Sequence, residues 1–322
     1  MRKNKLLLLL VLLLTAATGA WAQDPAKYKI TVAEGTEDAG KWTISPNPAP
    51  EGSPVTATYS GDKKVKSVKA VKKAAYLKWN ADQKKLVETA IPTTANKVQN
   101  SDQNVEWAGT YVVEGNVTIN GGIILNGNVE LIIKDGAKLT ANQIYDNGSS
   151  YYNLSIYGQA SQTGQLVVNC SDHAISGIDK LEVHSCKVKA TSTLNRGGGF
   201  YRILTFNVYG GSVDAENTAG EGYGINLYDV SPMNIFGGEV KAVGKGNGDK
   251  SYGIMCASSK NSATVTVHGG KLWAENADNK ALNSTITLNK GDGFSGKIEY
   301  SSDNSTWSET VDASAKYVRV GY

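Results

Sequence analysis

One short sequence pattern recurs along the chain from residue 129 onward. It reads NVYGGSVDAEN at residues 207–217, NIFGGEVKAVG at 234–244 and TVHGGKLWAEN at 266–276. Weaker copies are EVHSCKVKATS at 182–192 and KDGAKLTAN at 134–142, and residues 153–170 fit once a short insertion is allowed after Gly158. A repeat period of roughly 20–50 residues indicates a protein built from stacked structural units.

Aligning the copies brings like residues to equivalent positions. The first series consists of small residues, five alanines and one valine, at steps of 27, 22, 25, 27 and 32 residues: Ala141, Val168, Ala190, Ala215, Ala242 and Ala274. Two positions earlier the residues are aliphatic: Leu139, Leu166, Val188, Val213, Val240 and Leu272. Another aliphatic series precedes the glycines: Ile156, Val183, Val208, Ile235 and Val267. Strands stack about 4.8 Å apart, so each series predicts a continuous buried ladder.

Each repeat contains two clear short strands and a weaker third, with candidates at residues 173–175, 223–225 and 252–254. The chain offers no amphipathic stretch long enough for a crossover helix, and a propeller blade needs four strands in roughly 40 residues. The pattern therefore predicts an all-β protein in which residues 109–300 form a right-handed parallel β-helix of about seven or eight coils. Residues 301–322 are expected to be capping strands that cover the unpaired backbone groups of the last coil.

Residues 23–75 predict a small all-β module of β-sandwich or immunoglobulin-like type, because short β-branched runs alternate with Gly and Pro. Its strands are expected at 28–32, 42–44, 55–59 and 63–73. The last segment, KKVKSVKAVKK, also fits a short helix, since valines recur every three residues. Residues 76–108 are expected to separate this module from the β-helix, with a hairpin over 74–91 turning at Asn80–Asp82 and a linker over 92–108.

Positive charge is concentrated near this hairpin, where residues 62–97 carry ten basic and three acidic residues. Such a run is typical of a solvated strand face that protects a sheet edge from pairing. It also fits a surface that attracts an acidic polysaccharide or another anionic surface. The sequence leaves both interpretations open.

Residues 1–22 have the pattern of a secretory signal peptide. Arg2, Lys3 and Lys5 precede an apolar run that ends in the small-x-small cleavage signal Ala20-Trp21-Ala22. Removing these residues subtracts three bases and no acid from totals of 33 and 30, so the formal charge falls from +3 to zero. A neutral chain argues against nucleic acid as a partner, and the apolar run is too short for a good membrane span. We expect a secreted, cell-surface or periplasmic protein of a Gram-negative bacterium.

The cysteines and histidines do not predict a cofactor. The chain has three cysteines, Cys170, Cys186 and Cys256, without a C-x-x-C motif or a metal-ligand spacing. The alignment separates Cys170 from Cys186 around the coil by more than the roughly 7 Å that a disulfide spans, so no bridge between them is expected. No metal or other cofactor is predicted, and calcium is an option that no residue pattern supports.

An outward series gives the candidate binding site. Immediately after the second aliphatic series the residue is aromatic or imidazole in five successive coils: Tyr157, His184, Tyr209, Phe236 and His268. The outward residues on the other side are polar and include Asn207 and Asn234, and Trp273 extends the surface on the next face. Flat rings stack on sugar faces while polar neighbours orient the ligand, so these eight residues are the candidate carbohydrate site. Like residues also stack on a β-helix whatever its function, and a loop can cover such a strip, so ladder packing is the competing interpretation.

Catalysis has weaker support. Inverting glycoside hydrolysis needs convergent carboxylates, and the acidic residues of the repeats are scattered without any Asp-Asp pair. Uronate lyases need basic residues and calcium-binding acids, yet the chain has only four arginines. The sequence therefore predicts no catalytic residue.

The phrases LIIKDGAKLTA, LSIYGQ, NVYGGSVDAEN, NIFGGEVKA, VHGGKLWAEN and KYVRVGY carry a family resemblance. Residues 105–322, about two thirds of the chain, resemble secreted bacterial parallel β-helix proteins of the carbohydrate-binding-domain type. The resemblance implies the fold and the binding of a polysaccharide or cell-surface glycan, without a ligand motif. We expect an exported noncatalytic carbohydrate-binding protein. The alternatives are a surface structural or adhesin-like protein with a protein partner, and a polysaccharide lyase or glycoside hydrolase.

Overall fold

The computed structural model of the protein describes residues 27–28, 39–45, 49–50, 56–61, 74–146, 148, 150–256 and 262–322. The chain divides into two compact units with the boundary between residues 72 and 73. The expected signal peptide at 1–22 and the expected strand or helix at 63–73 lie outside the described residues. Within the described ranges, no helix has the length and apolar character needed to cross a membrane.

The described part of the first unit consists of short strands and a 3-10 turn. In chain order these are β1 (Lys27–Tyr28), the 3-10 helix Ala39–Lys41, β2 (Trp42–Ser45), β3 (Ala49–Pro50) and β4 (Thr56–Tyr59). β1 pairs with β3 and β2 with β4, both antiparallel. Trp42 lies opposite Tyr59, and their ring centroids are 5.0 Å apart. These pairs agree with the all-β character predicted for residues 23–75.

The second unit begins with an antiparallel hairpin and continues as a solenoid. The hairpin consists of β5 (Ala75–Asn80) and β6 (Lys85–Ala90), in register from Ala75 opposite Ala90 to Asn80 opposite Lys85. The strands that follow are β7 (Asn96–Lys97), β8 (Val105–Val113), β9 (Asn116–Ile133), β10 (Lys138–Asp146), β11 (Leu154–Tyr157), β12 (Gln165–Cys170), β13 (Ile175–Val183), β14 (Lys187–Ser192), β15 (Gly197–Val208), β16 (Ser212–Asn217), β17 (Gly222–Leu227), β18 (Pro232–Ile235), β19 (Glu239–Val243), β20 (Tyr252–Cys256), β21 (Ala263–Val267), β22 (Lys271–Glu275), β23 (Lys280–Leu282), β24 (Ile286–Lys290), β25 (Ile298–Ser301) and β26 (Tyr317–Val320).

These strands form a parallel β-helix of about seven turns, as the repeat predicts. On the first face β9, β10, β12, β14, β16, β19 and β22 stack in parallel. The second face is a parallel stack of β13, β15, β17, β20 and β23. The third face is a parallel stack of β11, β13, β15, β18, β21 and β24. β13 and β15 are long enough to turn a corner and contribute to two faces.

The aligned series of the sequence lie in register inside this solenoid. Leu139 pairs with Leu166, which pairs with Val188, and the alanine series lies two residues further along the same strands. On the third face Val183, Val208 and Ile235 pair in succession. All of these side chains belong to one continuous buried core. Burial of each Val, Leu or Ile stabilises the folded state by about 1.5–3 kcal/mol. A single coil cannot bury these side chains without neighbouring coils, so the stability depends on stacking.

Glycine is required at one corner between the third and first faces. Gly211, Gly238 and Gly270 occupy it in successive coils with φ of 73°, 77° and 76°. A Cβ on them would lie 2.2, 2.5 and 2.3 Å from the carbonyl oxygens of Cys186, Gly211 and Gly238, respectively. Both the left-handed backbone and the close approach of the preceding coil therefore explain the repeated Gly-Gly pair.

The two ends of the solenoid differ. At its start β7 pairs with β8, and β8 pairs with β9, so residues before 109 already contribute strands where the sequence analysis expects a linker. At its end β26 pairs with β22 and β25 with β26, both antiparallel. β26 thereby satisfies backbone groups of β22 on the first face, and β25 in turn pairs with β26.

Candidate functional site

The five outward rings form a single stack, which we call the aromatic ladder (Tyr157, His184, Tyr209, Phe236 and His268). Successive ring centroids are 4.4, 4.8, 5.2 and 4.6 Å apart, with interplanar angles between 8° and 27°. The spacing matches the separation of about 4.8 Å between stacked strands. The neighbouring outward positions hold Asn207 and Asn234 in register, and the Asn234 amide donates to the Asn207 side-chain oxygen at 3.1 Å.

The hairpin covers the first part of this ladder. The Trp79 ring of β5 lies 5.0 Å from Tyr209 at an interplanar angle of 18°, and 5.5 Å from Phe236. Tyr76 meets Tyr157 edge-on at 4.7 Å. As a result Tyr157 is only 2% exposed, Tyr209 and Phe236 are half-buried, and His268 is exposed.

Hydrogen bonds fix the hairpin on the solenoid. The Leu77 backbone N–H donates to the Gly158 carbonyl at 2.9 Å, and the Gln159 side-chain amide donates to the Ala75 carbonyl at 2.8 Å. The Lys78 ammonium lies 3.3 Å from the Glu130 carboxylate on a partly exposed rim. The backbone bond, which joins two strand-type segments, anchors the cover more firmly than the exposed ion pair does.

His184 is the buried polar member of the ladder. Its Nδ1 accepts a hydrogen bond from the Trp79 backbone N–H at 3.0 Å, so the neutral ring carries its proton on Nε2. Nε2 is buried and has no hydrogen-bond partner among the described residues. Burial, with a smaller contribution from Lys78 and Lys180, lowers the pKa of His184 to about 3. The ring is therefore neutral at physiological pH and acts as a packing element.

The geometry limits what the ladder offers to a ligand. A sugar ring packs against the face of an aromatic ring. In the ladder those faces are turned toward the neighbouring rings, and Tyr157 and His184 are also covered by the hairpin. The accessible part of the ladder and its flank consists of the half-buried residues Tyr209, Phe236, Asn207 and Asn234 and the exposed His268. Carbohydrate binding along the ladder stays a prediction.

A different aromatic surface surrounds Trp273, the eighth predicted site residue. It lies outward on β22, and its ring centroid is 5.5 Å from Trp307, 6.2 Å from Tyr317 and 5.9 Å from Tyr322. The interplanar angles are 58°, 57° and 75°, so these rings do not cover one another face to face. We call these four residues the C-terminal aromatic cluster. Trp273, Trp307 and Tyr317 are half-buried, and Tyr322 is 44% exposed.

Charged groups hold the rings of this cluster in place. The Trp273 indole N–H donates to Glu275 at 2.8 Å, and the Tyr322 hydroxyl donates to Glu239 at 2.8 Å. Burial and the Glu239 carboxylate raise the pKa of Tyr322, which keeps the hydroxyl protonated as a donor.

A basic side chain completes the cluster from the closing strands. The Arg319 guanidinium lies 4.0 Å from the centre of the Trp307 ring and donates to Glu299 at 2.8 Å. The hydrogen bond from Arg319 lowers the pKa of Glu299. The surface therefore combines aromatic faces with fixed hydrogen-bonding groups, which is the chemistry that can hold a saccharide without altering it.

Three members of this cluster, Trp307, Tyr317 and Tyr322, are not among the site residues predicted from the sequence. Residues 301–322 are predicted only to be capping strands, although the alternation in KYVRVGY places Tyr317 and Arg319 on one strand face. Their contact with Trp273 depends on the antiparallel register in which Trp273 lies opposite Arg319. The parallel repeat carries no signal for that register.

The thiols and acids add no further site. Cys170, Cys186 and Cys256 are all buried and unbridged, and burial raises the pKa of Cys186 to about 12. Within the ranges that the structure describes, no group of three or more His, Cys, Asp or Glu side chains is arranged to hold a metal ion.

Taken together, the fold and these surfaces define a β-solenoid protein with one covered aromatic ladder and one open aromatic cluster. No protein-family model, no curated protein and no solved structure matches the chain. The parallel β-helix expected from the resemblance is present, and no match assigns the chain to a family.

Proposed function

We propose that this protein is an exported, noncatalytic carbohydrate-binding protein that holds a polysaccharide or cell-surface glycan on the C-terminal aromatic cluster. The observation that carries the proposal is the angular arrangement of Trp273, Trp307, Tyr317 and Tyr322, in which no ring stacks face to face on Trp273. Charged groups lie beside these rings, with Arg319 over one face of Trp307 and Lys271 over one face of Tyr322. Aromatic faces supply the apolar contact for sugar C–H groups, and the neighbouring carboxylates and guanidinium supply hydrogen bonds to hydroxyls.

The rigid support of the cluster favours binding over a structural role alone. Trp273 belongs to a strand that is paired on both sides, by β19 and by β26. Side chains on such a strand are held before the ligand arrives, so binding orders few groups and loses little entropy. The signal-peptide pattern and the family resemblance support export and a glycan ligand outside the cell.

The proposal is tested with a glycan array followed by calorimetric titration of the best ligand. Trp307→Ala is the first variant, because Trp307 lies outside the regular strands and its removal leaves the β22–β26 pairing in place. We expect affinity to fall by about tenfold or more, the loss that follows from about 1.4 kcal/mol of stacking and contact energy. Trp42→Ala, a substitution of the same type in the first unit, is the matched control and leaves affinity unchanged.

A second arm separates the two aromatic surfaces. The double variant Tyr209→Ala/Phe236→Ala changes the aromatic ladder and leaves the cluster intact. If this variant keeps the glycan affinity of the wild type while Trp307→Ala loses it, the result supports binding at the C-terminal aromatic cluster. If only the ladder variant loses glycan affinity, the binding site is the aromatic ladder instead. A wild-type chain that binds no glycan but captures a protein ligand would instead favour the adhesin-like alternative and overturn the proposal.

A further inference from the structure

The arginines of this chain are not equivalent. Arg196 donates to Glu221 at 3.1 Å, and Arg319 donates to Glu299 at 2.8 Å. Arg202 makes no ion pair with any carboxylate among the described residues. A guanidinium stays charged at every relevant pH, so Arg202 carries a positive charge that no described carboxylate neutralises through an ion pair.

Two tyrosines flank this guanidinium, and the three residues together are called the Arg202 corner (Tyr151, Arg202 and Tyr228). The Arg202 Nη2 donates to the Tyr151 hydroxyl at 2.6 Å. The guanidinium carbon lies 4.7 Å from the centre of the Tyr228 ring and 5.8 Å from that of Tyr151. Its Nε is buried and has no hydrogen-bond partner among the described residues. The Nε–H donor of the guanidinium is therefore unused.

The backbone of this corner is held in an unfavourable conformation. Tyr151, Arg202 and Asp229 have φ of 47°, 55° and 58°, a region that residues other than glycine rarely occupy. The Tyr228 backbone N–H donates to the Ile203 carbonyl at 3.1 Å, which ties the two segments together in adjacent coils. Strained residues of this kind persist only where the surrounding structure enforces them, and they concentrate at ligand-binding sites.

The corner opens to solvent. Tyr228 is 39% exposed, and Val230 beside it is 65% exposed. The corner therefore places a guanidinium that has no carboxylate partner among the described residues next to an exposed, flat aromatic ring. Because Nε is buried and Nη2 already donates to Tyr151, the Nη1 side of the guanidinium is the side that would donate to a carboxylate. One face of the Tyr228 ring carries the guanidinium, and the opposite face can contact a sugar ring.

We propose that the Arg202 corner binds the carboxylate of an acidic, uronic-acid type of saccharide. The choice of a saccharide rests on the proposed function, and the anionic group rests on Arg202 alone. Arg202 lies on β15, whereas the C-terminal aromatic cluster is built around β22 and β26, so the two surfaces can be tested separately.

The test uses the full chain and isothermal titration with three probes: a galacturonate trimer, its methyl ester and an oligoglutamate of equal charge. The methyl ester keeps the sugar shape and removes the negative charge. We expect the trimer to bind about tenfold or more tightly than the ester, in line with the strength of a charge-assisted hydrogen bond. Arg202→Gln is expected to abolish this difference, Arg202→Lys to recover part of it, and Arg196→Gln, which removes an arginine already paired with Glu221, to preserve it.

The outcomes separate this inference from the proposed function. Equal binding of trimer and ester by the wild-type chain overturns the inference, and this arm does not depend on the folding of any variant. Persistence of the difference in a folded Arg202→Gln chain also overturns it. If Trp307→Ala loses neutral glycans while Arg202→Gln changes nothing, the proposed function stands and the Arg202 corner fails. Binding of oligoglutamate alone overturns the saccharide assignment.

Discussion

The aromatic ladder and the C-terminal aromatic cluster use the same kinds of side chain with opposite results. In the ladder one outward position repeats in parallel coils, so the rings lie within 27° of parallel and bury one another. In the cluster the rings come from a parallel strand, an antiparallel strand and connecting segments, and they meet Trp273 at 57° to 75°. The strand register therefore determines whether outward aromatic rings stack on one another, as in the ladder, or meet at steep angles, as in the cluster.

The largest effect is expected from the register that creates the ladder. Val208→Asp/Ile235→Asp places two unpaired carboxylates in the buried core, at a cost of several kcal/mol each, and should unfold the middle of the solenoid. Circular dichroism and urea denaturation measure the loss. The matched control is Asn207→Asp/Asn234→Asp at the adjacent outward positions, which should stay folded. Wild-type stability of the core variant would show that the assigned register is incorrect.

The next effect concerns the cover of the ladder. Trp79→Ala removes the ring that packs on Tyr209 and Phe236 and should cost about 2–4 kcal/mol in the free energy of unfolding. It should also increase acrylamide quenching of tyrosine fluorescence, because Tyr209 becomes accessible.

Trp307→Ala in the cluster is the comparison for this substitution. Trp307 is half-buried as Trp79 is, but it lies outside the regular strands and its ring meets Trp273 at 58° instead of stacking on two rings, so its loss should cost about 1 kcal/mol. Equal destabilisation by the two substitutions would contradict the distinction between a covered and an open aromatic surface.

The buried imidazole of His184 makes the stability of the ladder depend on pH between pH 6.5 and pH 3. The folded-state pKa of His184 is about 3, below the ordinary value of 6.5, so the unfolded chain binds the proton more readily. The stabilising effect is present above pH 6.5 and is lost as the pH falls toward 3, by about 1.4 kcal/mol per pH unit within that window. Protonation of Nδ1 also breaks the hydrogen bond from Trp79.

Urea denaturation at pH 7.5 and pH 5.0 measures this contribution. His184→Gln should lower stability at pH 7.5 and reduce the difference between the two pH values by about 2 kcal/mol. His268→Gln removes an imidazole from the exposed end of the same ladder and is the control. An unchanged pH difference in His184→Gln would rule out the buried neutral ring as its source.

The sequence was sufficient to predict the solenoid and the ladder, because both depend on equivalent positions in successive copies. Tyr157, His184 and Tyr209 align once Val183 and Val208 do, and strand spacing then sets the distance between their rings. The cover could not be predicted in this way. Trp79 lies 105 positions from His184 along the chain, and a contact between a hairpin and an outward ladder leaves no periodic signal. The cluster was missed for a related reason, since the antiparallel register of β26 on β22 interrupts the repeat.

The smallest effect on stability is expected at the open surface. Tyr322→Ala removes a side chain that is 44% exposed and a hydroxyl bonded to Glu239, and should change the free energy of unfolding by no more than about 1 kcal/mol. Tyr157→Ala, the same substitution at a ladder residue that is 2% exposed, should cost about 3 kcal/mol or more. Glycan affinity should change in the opposite order, falling in Tyr322→Ala and persisting in the folded fraction of Tyr157→Ala. If affinity instead follows stability across this pair, binding depends on the integrity of the ladder, and the division between a packing surface and a recognition surface fails.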